Sequence, residues 1–240
     1  IFDEEDVQEI YPDPSELFIH QDRTRLNIKS EKELESWSDE IAELYQRYGS
    51  LLVVVNTIGV SLQCYRLLKE KTKCTPFKLE FPQSDEWIVY LSTNITPKQR
   101  TDRLKAVSNH LKNGGRALVI STQIIEAGVN LDFPAVVRDI GPLDSIVQVA
   151  GRCNREGKLS KGEVYLIPIQ NGGCNRVYGP VHYNISHKIL SGKKQVEEQE
   201  YATLVADYFD AVRQCISQDK SKNLWKAYCD LRYDGLNDTP

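Results

Sequence analysis

Short apolar runs recur along the chain and alternate with segments of helical periodicity. The clearest run is LLVVVN at residues 51–56, and similar runs follow at 87–92, 116–121, 135–140 and 163–168. A run without polar alternation is typical of a strand that is buried on both faces of a parallel sheet. Because alternating strands and helices build right-handed βαβ units, we predict an α/β fold. Its sheet is open, doubly wound and mainly parallel, with helices on its faces.

The segments around these runs predict the helices and one further strand. Residues 31–48 place apolar side chains at helical spacing. Residues 95–113 have the same character, and Thr96 and Pro97 suit the cap and the first turn of a helix. The alternating run at 23–28 predicts a strand that precedes the others.

Two changes of pattern divide the chain into three proposed regions. Residues 1–22 are acidic and contain two prolines, so we interpret them as a lead-in between domains. Residues 23–170 carry the α/β pattern. Residues 171–240 begin with a loop-like stretch and then show helical periodicity at 195–217 and 221–232. We predict that this last region is a helical appendage or the start of a C-terminal domain.

Composition excludes several classes of protein. The chain has 240 residues, of which 40% are hydrophobic and 27% charged, close to the average of globular domains. Its apolar runs are far shorter than the roughly 20 residues of a membrane helix, and its acidic start differs from a signal peptide. The six cysteines form no CxxC pair and the four histidines do not cluster near them. We therefore predict a cytoplasmic protein with free thiols, no metal site and no membrane partner.

Polar side chains follow the predicted strands, where ligands bind in an open parallel sheet. Hydroxyl and amide groups at such positions can hold phosphate oxygens without adding charge. Ser and Thr after a strand also commonly cap the next helix, and the sequence leaves both roles open. These strand-end candidates are Asn56, Thr57, Ser92, Thr93 and Thr122.

The strongest pattern lies between residues 121 and 157. In EAGVNLD, Gly128 permits a turn with positive φ or a close approach of the backbone to a ligand. In QVAGRCNREG, a helix would place Gln148, Arg152 and Arg155 on one face, because they are spaced four and then three apart. A pair of arginines there suits a phosphate chain, since the guanidinium fork matches phosphoryl oxygens. A solvated basic helix end is the alternative.

These stretches resemble motifs V and VI of superfamily-two helicases. The wording EAGVNLDFPAVVRDIGPLDSIVQVAGRCNREG is similar to that of the CRISPR-associated helicase–nuclease family of type I systems. LLVVVNT resembles motif IV of these helicases, and YLSTNITPKQRTDRL resembles motif IVa. The resemblance covers roughly residues 8–170. It implies the second RecA-like domain of an ATP-driven motor that runs along single-stranded DNA.

The resemblance also implies a role for individual residues. Arg152 and Arg155 would reach the γ-phosphate of ATP, one of them as an arginine finger, and Gln148 would lie in the same cleft. The residues implied to border the nucleotide are Gly128, Asn130 and Asp132. Those implied to hold DNA phosphates are Asn56, Thr57, Ser92, Thr93, Arg100, Arg103 and Thr122.

Two positions depart from the family's usual sequence pattern. The family usually has Arg where this chain has Val149, and Asp where it has Asn130. These departures would suit an alternative function, a stand-alone binding or regulatory module that has kept the fold without the ATPase. A helicase of another superfamily-two branch is a third possibility, and the linked DFP, RD, PLDS and GRCNR elements disfavour it.

Several motor elements are absent from the sequence. There is no GxxxxGK[ST] phosphate loop, no DExH-type box and no His-Asp cluster of the nuclease kind. The chain starts at Ile1 and contains no Met, so we expect a piece of a longer protein. ATP and Mg²⁺ would then be shared with a missing first RecA-like domain, and none would be bound by this chain alone. The expected partners are single-stranded DNA, that first domain, an HD-type nuclease domain and a CRISPR effector complex. The chain alone is expected to lack ATPase, helicase and nuclease activity.

Overall fold

One eight-stranded sheet forms the centre of the molecule. The computed structural model describes residues 21–78, 84–126, 128–215 and 225–231, so residues 1–20 of the predicted lead-in lie outside it. The strand order is β3–β4–β5–β2–β6–β7–β1–β8, and every neighbouring pair is parallel except β1 and β8. The strands are β1 Thr24–Ile28, β2 Leu51–Val54, β3 Thr75–Pro76, β4 Glu86–Leu91, β5 Arg116–Ser121, β6 Ala135–Arg138, β7 Gly162–Leu166 and β8 Gln195–Glu197. The predicted mainly parallel α/β sheet is confirmed.

Helices cover both faces of this sheet. They are α1 Leu34–Tyr48, α2 Ile58–Lys71, α3 Pro97–Lys112, α4 Leu143–Ala150, α5 Cys174–Tyr178, α6 Pro180–Leu190 and α7 Tyr201–Cys215. Short 3₁₀ turns lie at Gln123–Ile125 and Glu198–Glu200, and residues 225–229 are also helical. One apolar core lies between the sheet and α1 and α2, and a second lies under α3, α4, α6 and α7. All four residues of β2 are fully buried, because both of its faces are covered.

Local chemistry explains where the central helices begin and end. Thr96 caps α3 by accepting a hydrogen bond from the Gln99 backbone N–H, and the Gln99 side chain accepts one from the Thr96 backbone in return. Gly49 ends α1 with a φ of 74°, a conformation that glycine adopts without a steric penalty. Both helices therefore match the predictions made from their sequences.

The region after residue 170 differs from its prediction in two places. The stretch interpreted as a loop contains α5, and the helix predicted over 195–217 begins only at Tyr201. Its first residues form β8, where Val196 is buried and pairs antiparallel with Leu26. A three-residue edge strand is too short to show a period in sequence. β8 thus extends the central sheet, while the domain boundary at residue 170 remains a prediction.

Within the described residues, no helix is both long and apolar enough to cross a membrane. All six cysteines carry free thiols.

Candidate functional site

The carboxyl ends of β2, β4, β5 and β6 meet along one edge of the sheet, which we call the strand-end edge. From β2 the chain continues toward β3, whereas from β6 it continues toward β7, in the opposite direction across the sheet. The topological switch point therefore lies between β2 and β6. Open α/β sheets bind ligands in the crevice outside such a point.

A buried arginine occupies this switch point. Arg138, the last residue of β6, is fully buried, and its Nη1 donates to Oδ1 of Asn56 at 2.7 Å. Its Nη2 donates to Oγ of Ser145 at 2.9 Å and lies 3.4 Å from Oε1 of Glu126. The Ser145 hydroxyl in turn donates to that same Glu126 oxygen at 2.7 Å. The positive charge of Arg138 is thus paired inside the protein, as a buried ion requires.

The neighbouring carboxylate of Asp139 is also buried and fully bonded. Its Oδ1 accepts from the backbone N–H groups of Ile140 and Ile169, at 2.8 and 2.9 Å, and its Oδ2 accepts from Asn56 Nδ2 at 2.7 Å. Burial raises the pKa of Asp139 to about 6, while these donors and the charge of Arg138 act in the lowering direction. The group is therefore mainly ionised at neutral pH.

This network changes the role of Asn56. The sequence implied a contact with DNA phosphate, but Asn56 is 3% exposed, and its amide is bonded to Arg138, Asp139 and the Ile140 carbonyl. In this structure it holds the strand ends together. The sequence analysis assigned no role to Arg138 and Asp139. The sequence does contain a signal for their importance, because two adjacent charged residues follow an apolar run.

The other strand-end candidates lie along the same edge with different exposure. Thr57 is half-buried and caps α2, accepting from the Val60 N–H at 3.2 Å. Ser92 is buried and its hydroxyl bonds Asn94, and Thr122 is 3% exposed. Thr93 alone among these five candidates is exposed. The edge therefore offers Thr93 and part of Thr57 to a ligand.

Helix α3 brings two of the predicted cationic residues beside this edge. Arg103 donates from Nη1 to the backbone carbonyl of Tyr90 at 2.7 Å, which ties it to the end of β4. Arg100 is half-buried, and its Nε has no hydrogen-bond partner among the described residues. Both arginines are half-buried, so part of each side chain remains exposed to solvent.

The predicted common helical face of Gln148, Arg152 and Arg155 is wrong. Helix α4 ends at Ala150, so Gln148 is on the helix and both arginines lie in the turns that follow it. The backbone around Cys153 pairs instead with Phe133, through hydrogen bonds of 3.0 and 2.8 Å. This pairing with a distant segment ends the helix.

The two arginines have different surroundings. Arg152 is 8% exposed and donates to the carbonyls of Ile125 and Glu126, at 3.1 and 2.5 Å. Burial, together with the nearby charge of Arg155, lowers the pKa of Arg152. Arg155 is exposed, and no side chain in the described part of the protein pairs with its guanidinium. Arg152 therefore holds a loop, whereas Arg155 is available to a ligand.

Of the residues implied to border a nucleotide, Asp132 contacts Arg155 directly. Oδ1 of Asp132 accepts the backbone N–H of Arg155 at 2.7 Å, so it fixes the turn that carries the arginine. Asn130 and Asp132 also line a cavity of about 230 Å³ together with Lys112 and Lys158. Gly128 is exposed and has a φ of 68°, as its sequence context predicted. Asn130 and Asp132 lie toward the amino ends of the strands, because the same cavity is lined by Ser50, Gly115 and Pro134, which directly precede β2, β5 and β6.

Val149 is fully buried in the core under α4. The residue that departs from the family's sequence pattern here is therefore a core residue, and the exposed surface around Arg155 is unaltered. Asn130, the second departure, is exposed beside the cavity described above.

Part of the chain is similar to known proteins. Residues 47–158 match the family model of the CRISPR-associated nuclease/helicase Cas3, C-terminal. A Cas3 nuclease/helicase of Haloferax volcanii is 71% identical over 100 residues, which make up 39% of this chain and 11% of that protein. The chain therefore spans only about a tenth of the length of that relative.

Two solved structures share the fold. A CRISPR-associated protein superposes with a TM-score of 0.66 at 23% identity, over 98% of this chain and 27% of the other. Cas3 of T. fusca with ATP superposes with a TM-score of 0.62 at 19% identity, over 90% of this chain and 27% of the other.

The sheet order, the covering helices and these structures define a RecA-like α/β fold. The family match at residues 47–158 and the Haloferax relative show that this part of the chain is similar to the C-terminal region of Cas3 proteins. The resemblance inferred from motifs V and VI is confirmed.

Proposed function

We propose that this chain is the second motor domain of an ATP-dependent translocase that moves along single-stranded DNA in type I CRISPR interference. The observation that carries the proposal is the exposed guanidinium of Arg155, which has no side-chain partner among the described residues and lies on a turn fixed by Asp132. A guanidinium that can approach a nucleotide from a second domain is the requirement for an arginine finger.

In this proposal Arg152 and Arg155 have different roles, although the resemblance implied that both reach the γ-phosphate. Arg155 stabilises the charge that develops on the transferred γ-phosphoryl group. Arg152 is committed to two backbone carbonyls and acts by keeping the loop before Gly128 in place. Gln148, exposed on the neighbouring turn of α4, orients groups in the same cleft.

Single-stranded DNA is proposed to lie across the strand-end edge. Thr93 and Thr57 would contact its phosphates, and Arg100 and Arg103 would add a charge-dependent grip. Asn56, Ser92 and Thr122 are buried, so in the proposal they shape this edge from within.

ATP and Mg²⁺ need groups that this sequence does not contain. The proposed motor takes its phosphate loop and its magnesium-binding carboxylate from a first RecA-like domain, and it acts with an HD-type nuclease domain and a CRISPR effector complex in the cytoplasm. The T. fusca relative was crystallised with ATP, which supports the nucleotide assignment. Since Asp132 and Arg155 lie together, their side of the domain would face the ATP-bearing partner domain.

The test is Arg155→Ala in the intact motor that contains this domain. We expect ATP turnover to fall by roughly 10³-fold, because an arginine finger acts mainly on the transition state, while DNA affinity stays within about twofold. Arg66→Ala is the matched control, since Arg66 is an exposed arginine on α2, on the opposite face of the sheet. The measurements are steady-state ATP hydrolysis and single-stranded-DNA binding.

Two results would contradict the proposal. One is an Arg155→Ala motor that hydrolyses ATP at the unaltered rate. The other is ATP hydrolysis by the isolated chain that Arg155→Ala abolishes, which would show a complete ATPase site inside these 240 residues.

A further inference from the structure

We infer that Glu126 is a positioning residue that couples the DNA side of this domain to its arginines, acting through the buried Arg138. The inference rests on the proposed function, because it assigns the route between the two sides of the same motor. It is carried by a continuous set of contacts between the strand-end edge and the loop that holds Arg152.

The first contacts join the strand-end edge to the 3₁₀ turn after β5. The Gln123 side chain donates from Nε2 to the backbone carbonyl of Asn56 at 2.7 Å. Asn56 also accepts from Arg138 through its side chain, at 2.7 Å. A displacement of the end of β2 by a bound strand would therefore act on the turn and on Arg138 together.

Glu126 is the junction of the next contacts. Its carboxylate receives Ser145 at 2.7 Å and lies 3.4 Å from Nη2 of Arg138. Its backbone carbonyl receives Nη2 of Arg152 at 2.5 Å, beside the Ile125 carbonyl that receives Arg152 Nε. Glu126 thus contacts the buried network through its side chain, and it contacts Arg152 through its backbone carbonyl.

The physical reason for coupling is the burial of these charges. Arg138 is fully buried and the Glu126 side chain is only 14% exposed, so little water is available to replace Glu126 as the partner of Arg138. Partial displacement would leave an unpaired charge in the interior, and the network therefore favours discrete arrangements that shift as a unit. A shift of Glu126 would move the carbonyl that anchors Arg152, and through the following turn the exposed Arg155.

The experiment is Glu126→Gln in the intact motor, with ATP hydrolysis measured without DNA and with saturating single-stranded DNA. The substitution keeps the shape and the backbone carbonyl and removes the charge that pairs with Arg138. We expect the ratio of DNA-stimulated to basal hydrolysis to fall at least about fivefold, the lower range of typical coupling between two sites. DNA affinity should change far less than this ratio.

A matched control is Glu198→Gln. Glu198 is another buried carboxylate after a short strand, bonded to Arg23 and Thr24 at the far end of the sheet. It should leave the ratio unaltered. Ser145→Ala, which removes only the bridging hydroxyl, provides a second and milder variant if Glu126→Gln folds poorly, and it should lower the ratio in the same direction.

The outcomes separate this inference from the proposed function. An unaltered ratio in both Glu126→Gln and Ser145→Ala would overturn the coupling role, as would an equal loss of basal and stimulated hydrolysis, which indicates a merely structural role. A wild-type motor without any DNA stimulation would instead contradict the proposed function itself.

Discussion

At the scale of single residues, burial divides the polar side chains into those that hold the domain together and those that are presented to solvent. Arg152 and Arg155 are three positions apart, yet one is 8% exposed and bonded to two carbonyls while the other is exposed. The same division separates Asn56 from Thr93 on the strand-end edge. Residue type and spacing alone would assign one role to both arginines, and one role to both Asn56 and Thr93.

Arg152→Ala should lower the free energy of unfolding by about 2–4 kcal/mol, because a buried and a partly buried carbonyl would lose a charged donor. Arg155→Ala should change the same quantity by less than about 0.5 kcal/mol, as is usual for an exposed side chain. Chemical denaturation of the two variants checks this. Equal destabilisation by both substitutions would contradict the division of roles.

Gly172 shows how closely the segment after β7 contacts the switch point. A Cβ at this position would lie 2.6 Å from Oδ2 of Asp139 and 3.0 Å from the Ile169 carbonyl. Gly172→Ala should therefore destabilise the protein by about 1–3 kcal/mol through overpacking. Gly59→Ala, whose Cβ meets nothing within 4 Å, should be neutral or stabilising by up to about 1 kcal/mol in its helix. Thermal unfolding of the pair is the measurement, and a neutral Gly172→Ala would refute the close contact.

At the scale of elements, the helices begin where their capping residues lie and end where tertiary pairing requires. Helix α3 carries a complete capping box at Thr96, visible in the sequence as T-P-K-Q. Helix α4 has apolar residues at helical spacing and no side-chain cap, and its end is set by the pairing of Cys153 with Phe133. Caps are local and can be predicted, whereas pairing between distant segments cannot.

Thr96→Ala should lower the free energy of unfolding by about 1 kcal/mol, since the first turn of α3 loses the acceptor for the Gln99 N–H. Thr101→Ala is the control within the same helix. The Thr101 hydroxyl donates to the Pro97 carbonyl inside the helix, so its removal leaves the cap intact. Urea titration distinguishes the two. A larger effect at Thr101 would rule out the cap as the main contribution.

At the scale of the whole molecule, the switch point of the sheet concentrates buried charge between two apolar cores. Asp139 contributes a pH dependence to folding. Its pKa is about 6 in the folded protein, above its ordinary value of 3.8, so folding takes up a proton between these pH values. The stabilisation from this proton uptake is complete below about pH 4 and is lost as the pH rises through about 6.

The comparison of wild type with Asp139→Asn isolates this contribution. The unfolding free energy of the wild type, relative to the variant, should decrease on the order of 1–3 kcal/mol from pH 4 to pH 7. Denaturation curves at pH 4, 5, 6 and 7 measure it. A difference that grows with pH would show instead that the folded environment lowers the pKa.

The sequence by itself determined the α/β class, because β2 and β4–β7 are local apolar runs, and because α3 and α1 carry a local start or stop residue, Thr96 and Gly49. It also revealed the similarity to Cas3 proteins, since the residues of motifs V and VI are contiguous in sequence. These features depend on neighbours within a few positions, and therefore they can be read without the fold.

Only the tertiary structure decided which polar groups form hydrogen bonds inside the protein. Arg138 meets Asn56 from 82 positions away, and Val196 joins the sheet beside Leu26. The end of α4, and with it the separation of Arg152 from Arg155, depends on a pairing with residue 133. Burial and pairing between distant segments are properties of the packed chain, and no local period in the sequence encodes them.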